Sequence, residues 1–359
     1  MAAEANIRDQ VWGTSTFYDR WVERQGIPVV RGYFVEDLNA VKVEPWSRKG
    51  GKGTFVILEG AESMADAYVC EIPPGGSLKP QRHLFEEMIY ILSGRGATTL
   101  WWDGKEKQTF EWQSGSLFAP PLNVWHQHFN GQGDKPVRYL AVTSAPLMLN
   151  LIHDDGFLFN NGYSFTSRYS GEADYFSESS GKMHSGVIWE TNFVPDVRSL
   201  KLHEFKERGA GGSNMMLELS NNTMASHISE FPVGTYKKAH RHGPAAHVVL
   251  LNGEGYSLLW LEGQPMTTVP WRSGSMFVPP GRWFHQHFNV GATPARYLAL
   301  RWNSRKNSMG GANRSTEDVK SGGDQIEYDD QDPAIDRLYG EECRKRGVTP
   351  KMAAFFKKK

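Results

Sequence analysis

The sequence lacks several features that would assign a protein to a class at once. Its 359 residues include only two cysteines, Cys70 and Cys343, which excludes a disulfide framework and a cysteine-based zinc site. No apolar run approaches the roughly 18 residues that a membrane-spanning helix needs, and the first residues lack the apolar core of a signal peptide. We therefore expect a cytoplasmic protein that does not associate with membranes.

No charge of one sign dominates the chain. Lys+Arg and Asp+Glu each number 40, so the formal net charge is +0. Without a basic field, the protein is not drawn to nucleic acid or to an anionic membrane, and we expect neither as a partner. No P-loop, G-x-G-x-x-G nucleotide fingerprint or Ser/His/Asp arrangement stands out either.

What the sequence does contain is one histidine-rich segment twice, at residues 75–130 and 234–289. His83 of the first copy recurs as His242 of the second, an offset of 159 residues that holds across the segment. Eight of the twelve histidines lie in the two copies, which points to metal chemistry. A period this long, present twice, indicates two copies of one domain.

Both copies consist of short runs rich in Val, Ile, Tyr and Trp, separated by Gly and Pro, which predict an all-β fold. Short helices are predicted at about 17–24 and 332–346. The predicted parts are an N-terminal extension that leads into or covers the first barrel (1–50), the first barrel (51–145), a connection (146–200), the second barrel (201–303) and a C-terminal extension (304–359).

The spacing within each copy resembles the two motifs of the cupin superfamily, G-x5-H-x-H-x(3–4)-E-x6-G and G-x5-P-x-G-x2-H-x3-N. The first copy carries them at Gly75, Gln81, His83, Glu87, Gly94, Gly115, Pro121, His126 and Asn130. The second carries them at Gly234, His240, His242, Gly253, Gly274, Pro280, His285 and Asn289. The resemblance implies a bicupin, with two jelly-roll barrels in tandem and short helical extensions.

The second copy offers three histidines to a metal ion. His240 and His242 are two residues apart on a predicted strand and therefore project to the same side, and His285 can close the site from a distant strand. Ala246 stands where the motif has glutamate. Three neutral imidazoles would leave room for a chelating substrate and dioxygen, and the uncompensated metal charge favours an anionic substrate.

The segment HRHGPAAHVVLLNGEGYS, which starts at His240, is similar to the corresponding stretch of the gentisate 1,2-dioxygenase and salicylate dioxygenase group. This resemblance implies an Fe(II)-dependent dioxygenase that acts on a small aromatic or hydroxy-acid substrate. Zn, Mn or Ni are alternatives to Fe(II), because three histidines suit several metals. That group carries its working iron in the N-terminal barrel, whereas the matching residues here belong to the C-terminal one.

The first copy offers Gln81, His83, Glu87 and His126, a set similar to the zinc site of cupin phosphomannose isomerases. These residues predict either a second metal site or a decayed site held by hydrogen bonds. If this set does the work, the protein is a non-oxidative metal-dependent isomerase, lyase or decarboxylase. A binding bicupin without catalysis is a further alternative, because the fold alone does not give the function.

Five other residues are candidates for orienting ligands, moving protons or contacting substrate. His128 and His287 share the inward strand face of the motif histidines, where a hydrogen-bonded core histidine is the alternative. His227 could reach the second cavity, and Trp283 could form its edge. Arg296 could bind a substrate carboxylate or make a structural ion pair. The long terminal extensions favour a homo-oligomer.

Overall fold

The structure is a computed structural model that describes residues 13–61, 64–177, 180–243, 246–302, 304–309 and 314–356. Its α-helices are α1 Phe17–Gln25, α2 Ala145–Ile152, α3 Asp155–Asn160 and α4 Pro333–Lys345. Its strands are β1 Val29–Val30, β2 Phe34–Val35, β3 Glu44–Trp46, β4 Gly51–Val56, β5 Asp66–Ile72, β6 Glu87–Ser93, β7 Arg95–Trp101, β8 Gln108–Gln113, β9 Leu117–Phe118, β10 Trp125–Asn130, β11 Val137–Thr143, β12 Lys182–His184, β13 Ile188–Thr191, β14 Phe193–Val194, β15 His203–Glu204, β16 Ser213–Leu219, β17 Met224–Phe231, β18 Ala239–His240, β19 Ala246–Asn252, β20 Glu254–Trp260, β21 Thr267–Arg272, β22 Met276–Phe277, β23 Phe284–Asn289, β24 Ala295–Trp302 and β25 Gln325–Ile326.

The strands form two barrels, each made of a large and a small sheet. In the first barrel the large sheet has the strand order β1-β4-β5-β11-β6-β9-β14, with β3 beside β4, and the small sheet has the order β10-β7-β8. The second combines β12-β13-β16-β17-β24-β19-β22-β2, with β15 beside β16, and β21-β20-β23-β18-β25. Within the described ranges, the strand pairs are antiparallel except β1 with β4 and β13 with β16. The predicted fold, two all-β barrels in tandem with short helices, is confirmed.

The two halves exchange a short strand. β2 precedes the first barrel but pairs with β22 of the second, and β14 precedes the second barrel but pairs with β9 of the first. The hydrogen bonds beside these pairs repeat as well: Leu38 N donates to Gly274 O, and Val197 N donates to Gly115 O, both at 2.9 Å. Each barrel is therefore completed by the segment that leads into the other. The N-terminal extension thus serves both barrels, not the first alone.

The large sheets pack against each other, so their strands are buried on both faces. In β11, Leu140 and Val142 join an apolar core shared by the two barrels, whereas Tyr139 and Ala141 point into the first barrel. The period of two along a strand produces this division. Burial on both faces also explains the short apolar runs in β6, β11 and β19.

Both predicted helices are present, and each covers one barrel. α1 begins with a capping box, in which Thr16 Oγ1 accepts from Asp19 N at 3.1 Å and Asp19 Oδ2 accepts from Thr16 N at 2.8 Å. α4 packs on the small sheet of the second barrel, where Tyr339 Oη donates to Asn289 O at 2.9 Å. No helix in the described part of the chain is long and apolar enough to cross a membrane.

The exchange predicts a stability effect at Gly115. Its φ is +94°, and an added Cβ would lie 2.4 Å from Oδ1 of Asp196, in the exchanged segment. We expect Gly115→Ala to lower the free energy of unfolding by about 1–3 kcal/mol, because the substitution combines a left-handed backbone with a steric clash. Chemical denaturation would measure this. Gly104→Ala is the matched control, since its φ is +73° and no atom lies within 4 Å of a Cβ there; equal stability of the two variants would contradict the role given to Gly115.

Candidate metal centres

The second barrel brings the three predicted histidines together. His240 in β18 pairs directly with His285 in β23, and His242 follows two residues after His240. One ligand atom from each residue lies within 4.8 Å of the others. The ring centroids of His240 and His285 are 4.2 Å apart, and those of His242 and His285 are 4.8 Å apart. This spacing is compact enough for one metal ion to contact all three rings.

Two of these rings are held in the tautomer that a metal requires. Nδ1 of His240 lies 3.2 Å from Lys238 O, and Nδ1 of His285 lies 3.2 Å from Trp283 O. A carbonyl only accepts, so each Nδ1 carries the proton and each Nε2 keeps its lone pair. Burial lowers the pKa of His285 to about 4. Burial also holds the pKa of His240 and His242 well below the ordinary value, so protons do not compete for the site at neutral pH.

His240 and His242 border a cavity of about 220 Å³ inside the second barrel. His227 also lines this cavity, at the place that the sequence suggested for it. The charged side chains of the lining are Arg208, Lys237, Arg301, Arg305 and the single acid Glu207.

Two of these cations, Arg208 and Lys237, donate hydrogen bonds to neutral groups. Arg208 Nη2 donates to Ser315 Oγ at 2.8 Å, and Lys237 Nζ donates to Tyr297 Oη at 3.2 Å. In the chain segments that the structure describes, no carboxylate forms an ion pair with Arg208, Lys237 or Arg301. Burial lowers the pKa of Arg208 and of Arg301 to about 10, which leaves both charged at neutral pH. Glu218 offsets part of the charge of Arg301, and Glu207 part of that of Arg208, without forming ion pairs with them. The cavity wall therefore keeps an excess of positive charge, which attracts anions.

The first barrel also brings its predicted set together. Glu87 Oε2 lies 3.6 Å from His83 Nε2 and 3.8 Å from His126 Nε2. Nδ1 of His83 contacts Phe85 O at 2.8 Å, which again leaves Nε2 free to bind a metal. Among the described residues, His83 Nε2 and Glu87 Oε2 are buried without a hydrogen-bond partner. A cation between them would satisfy both atoms.

Gln81 is the fourth member of the first cluster. Its side-chain Nε2 lies 3.0 Å from Nε2 of His126. Because an amide oxygen and nitrogen are assigned from their surroundings, the same side chain, turned over, presents an oxygen to a metal. The four residues therefore fit a closed cation site with four protein ligands.

Lys49 neutralises this first cluster from behind. Tyr68 Oη donates to Glu87 Oε1, Lys49 Nζ lies 2.6 Å from Tyr68 Oη, and the Lys49 ammonium is 4.0 Å from Glu87 Oε1. Burial would raise the pKa of Glu87, but the charge of Lys49 and the interaction with His83 outweigh it and hold the pKa well below the usual range.

The space beside the cluster is only about 20 Å³ and is bordered by Trp21 and Phe159, which leaves no room for an organic substrate.

An internal comparison shows how the two sites differ. Strand register and the repeat align Lys49 with Arg208, Asp66 with Ala225, Leu78 with Lys237, Glu87 with Ala246 and Thr143 with Arg301. Arg48 and Glu207 also align and line the two cavities. With this pair included, the first barrel has two cations and two acids, a formal charge of 0, and the second has three cations and one acid, a formal charge of +2. The second site therefore suits an anion, whereas the first is almost neutral before any metal is added.

Comparisons with known proteins agree with this architecture. Residues 68–143 match the Cupin domain family. The chain has a bicupin fold. No curated protein sequence matches it significantly.

Solved structures extend the similarity over both barrels. Oxalate decarboxylase of Lactobacillus farciminis in a formate complex is 15% identical, with 76% of this chain and 86% of that chain covered and a TM-score of 0.51. A variant of oxalate decarboxylase from Bacillus subtilis is 13% identical, with 76% and 78% covered and a TM-score of 0.51. Another structure of the Bacillus enzyme, from work on its Mn(II) centres, is 14% identical, with 76% and 78% covered and a TM-score of 0.50. At this identity the likeness concerns the fold alone, and it does not support the specific resemblance to the gentisate group.

His128 and His287 occupy equivalent places behind the metal clusters of this bicupin. His128 Nδ1 lies 2.8 Å from Thr98 Oγ1, and His287 Nδ1 lies 2.8 Å from Ser257 Oγ. In each barrel the same hydroxyl accepts a hydrogen bond from a buried tryptophan, Trp112 in the first and Trp271 in the second. This repeated contact gives one ring nitrogen of each histidine a hydrogen bond in the core, while His128 Nε2 is buried without a partner among the described residues. A role in orienting the neighbouring ligands stays a proposal.

Trp283 and Arg296 do not line the 220 Å³ cavity. The Trp283 side chain packs against the apolar core of the second barrel. Arg296 Nε donates to Val197 O at 3.1 Å, and its Nη1 contacts Glu230 Oε2 at 3.3 Å. Of the two roles considered for Arg296, the structure shows the ion pair, with Glu230. The hydrogen bond to Val197 O joins the connection between the barrels to the second barrel. Binding of a substrate carboxylate by Arg296 is therefore not proposed further.

Sequence reasoning did not identify the three aligned cations of the cavity, Arg208, Lys237 and Arg301. Arg208 follows Lys49 at the repeat offset of 159, so extending the repeat toward the N-terminus would have marked the pair. Arg301 pairs with Ala246 across the neighbouring strands β24 and β19. This pairing depends on the register of the two strands, which the sequence does not give. Lys237 stands where the first copy has Leu78, a difference that only a site comparison makes meaningful.

The contact between Lys49 and Glu87 can be tested by a double-mutant cycle on metal-free protein. We expect Lys49→Met to lower the free energy of unfolding by about 3–5 kcal/mol, because it leaves the Glu87 carboxylate buried without its cation. Glu87→Gln added to Lys49→Met should recover part of that loss. Denaturation in the presence of a chelator measures all four proteins. Additive effects would contradict the coupling between the two residues.

Proposed function

We propose that this bicupin is a metal-dependent enzyme that acts on a small carboxylate in its second barrel. The observation that carries the proposal is the three-histidine cluster beside a cavity of about 220 Å³ whose wall has an excess of cations. Three neutral ligands leave the charge of a divalent metal unbalanced, and Arg208, Lys237 and Arg301 add to it. A carboxylate substrate would compensate both.

For the reaction we put a non-oxidative loss of CO2 first. Solved structures with a similar fold include oxalate decarboxylases, one of them in a formate complex, and the Bacillus enzyme has Mn(II) centres. We therefore place Mn(II) before Fe(II) as the metal. When bound, the metal would act as a Lewis acid toward the carboxylate.

Lys237 is our candidate donor of the proton that this reaction needs. When CO2 leaves a carboxylate, the electron pair of the broken C–C bond stays on the remaining carbon, which must take up a proton. Lys237 lies in the cavity wall and donates a hydrogen bond to Tyr297 Oη at 3.2 Å, and burial lowers its pKa, which eases proton release. Sequence reasoning assigned the non-oxidative reaction to the first barrel; the space of about 20 Å³ there moves our proposal to the second.

The second candidate is an Fe(II)-dependent dioxygenase acting on a small aromatic or hydroxy acid. Ala246 favours it, because three histidines without a carboxylate leave coordination positions for a chelating substrate and dioxygen together. The cationic cavity suits the acid group of either substrate class. A measurement of oxygen consumption separates the two reactions.

The test compares matched ligand variants of the two barrels. Mn(II)-loaded protein is screened for CO2 release from small mono- and dicarboxylates with and without oxygen. We expect release without oxygen, a loss of at least about 100-fold in His242→Ala, and retained activity in His83→Ala, since even partners behind a metal ligand contribute about 10–100-fold. His242 and His83 are equivalent positions, so each variant controls for the other.

Three results would count against the proposal. Oxygen uptake in step with turnover would support the dioxygenase. Loss of activity in His83→Ala with retention in His242→Ala would move the reaction to the first barrel. Metal binding without turnover of any carboxylate or hydroxybenzoate would favour the binding bicupin.

The predicted homo-oligomer stays a prediction.

A further inference from the structure

The second barrel has a cation opposite the position at which the first has its acidic ligand. In the first barrel Glu87 pairs across β6 and β11 with Thr143. In the second, the equivalent pair across β19 and β24 is Ala246 with Arg301. The space that a glutamate side chain would fill is thus bordered by a methyl group and a guanidinium.

Arg301 has few hydrogen-bond partners in the protein itself, although the Glu218 carboxylate offsets part of its charge. Its Nε is buried and has no hydrogen-bond partner in the described segments, and its Nη2 contacts Met216 Sδ at 3.9 Å. A guanidinium carries five N–H donors in a planar fork that matches a carboxylate. Arg301 also lies near the cluster, since it lines the same cavity as His240 and His242.

We infer that the substrate supplies the missing acidic ligand: its carboxylate bridges the Arg301 guanidinium and the metal held by His240, His242 and His285. This inference rests on the metal site and anionic substrate proposed above. Arg301 repels a metal cation while the cavity holds no anion, and it attracts the carboxylate that neutralises both. The second site therefore binds metal and carboxylate together, whereas the first has its own acid in Glu87.

Thermodynamic linkage makes this measurable without turnover. If a carboxylate tightens metal binding, the metal tightens carboxylate binding by the same factor. Arg301→Gln removes the repulsion and the carboxylate anchor together. It should therefore tighten metal binding in the absence of carboxylate and abolish the carboxylate effect. A residue that only supported the fold would weaken metal binding under both conditions.

The experiment is a titration of the full chain with Mn(II), followed by the EPR signal of free Mn(II), in sodium acetate or in sodium chloride at equal ionic strength. The class of sites that His242→Ala removes is the second-barrel site. In the native chain we expect acetate to lower the Kd of this class about fivefold or more. In Arg301→Gln we expect a change below about twofold.

Two further variants complete the test. Ala246→Glu supplies an acid from the chain, so it should tighten Mn(II) binding in chloride and reduce the acetate effect. Arg272→Gln is the charge-matched control, because Arg272 is exposed and pairs with Glu36 at 2.9 Å, and it should keep the native acetate effect. An acetate effect that is absent from the native chain, or retained in Arg301→Gln, overturns the inference. If His242→Ala removes no class of Mn(II) sites, the proposed metal site itself is overturned.

Discussion

The cost of burying charge governs both barrels of this protein. Inward strand positions place ionisable side chains where water cannot compensate them, so each barrel must provide counter-charges or attract them. The first barrel provides its own, with Lys49 against Glu87 through Tyr68. The second has cations at three aligned positions, Arg208, Lys237 and Arg301, and alanines, Ala225 and Ala246, where the first has Asp66 and Glu87. The same fold thus produces one site whose charges are balanced by its own side chains and one site whose excess positive charge attracts an anion.

Access to the two sites follows from what covers each barrel. Helices α1 and α3 place Trp21 and Phe159 over the first cluster, with their rings 5.8 Å apart, and fill the space that a substrate would need. The second barrel receives its helix, α4, on the outside of its small sheet, so its interior stays open. The aromatic side chains of the N-terminal half therefore do more than stabilise that half, because they decide which cluster can meet a ligand.

The sequence predicted the fold and the histidine clusters because both depend on local spacing. A strand places residues two apart on one face, so the positions of His240, His242 and their counterparts were enough to bring ligands together. The cations were not predicted, because Arg301 reaches the cluster only through the register of β19 with β24. The exchanged strands were missed for another reason: β2 and β14 are two residues long and have no periodicity to detect.

The reciprocal exchange of β2 and β14 also bears on how the chain can be cut. A nick in the connection between the barrels would break the backbone but leave β2 on the second barrel and β14 on the first. Each fragment would still hold the other by a strand and by the apolar core between the large sheets. Apart, each fragment would expose the unpaired edge of β9 or β22, a surface that invites aggregation. The halves are thus two copies of one unit by descent but a single unit in folding.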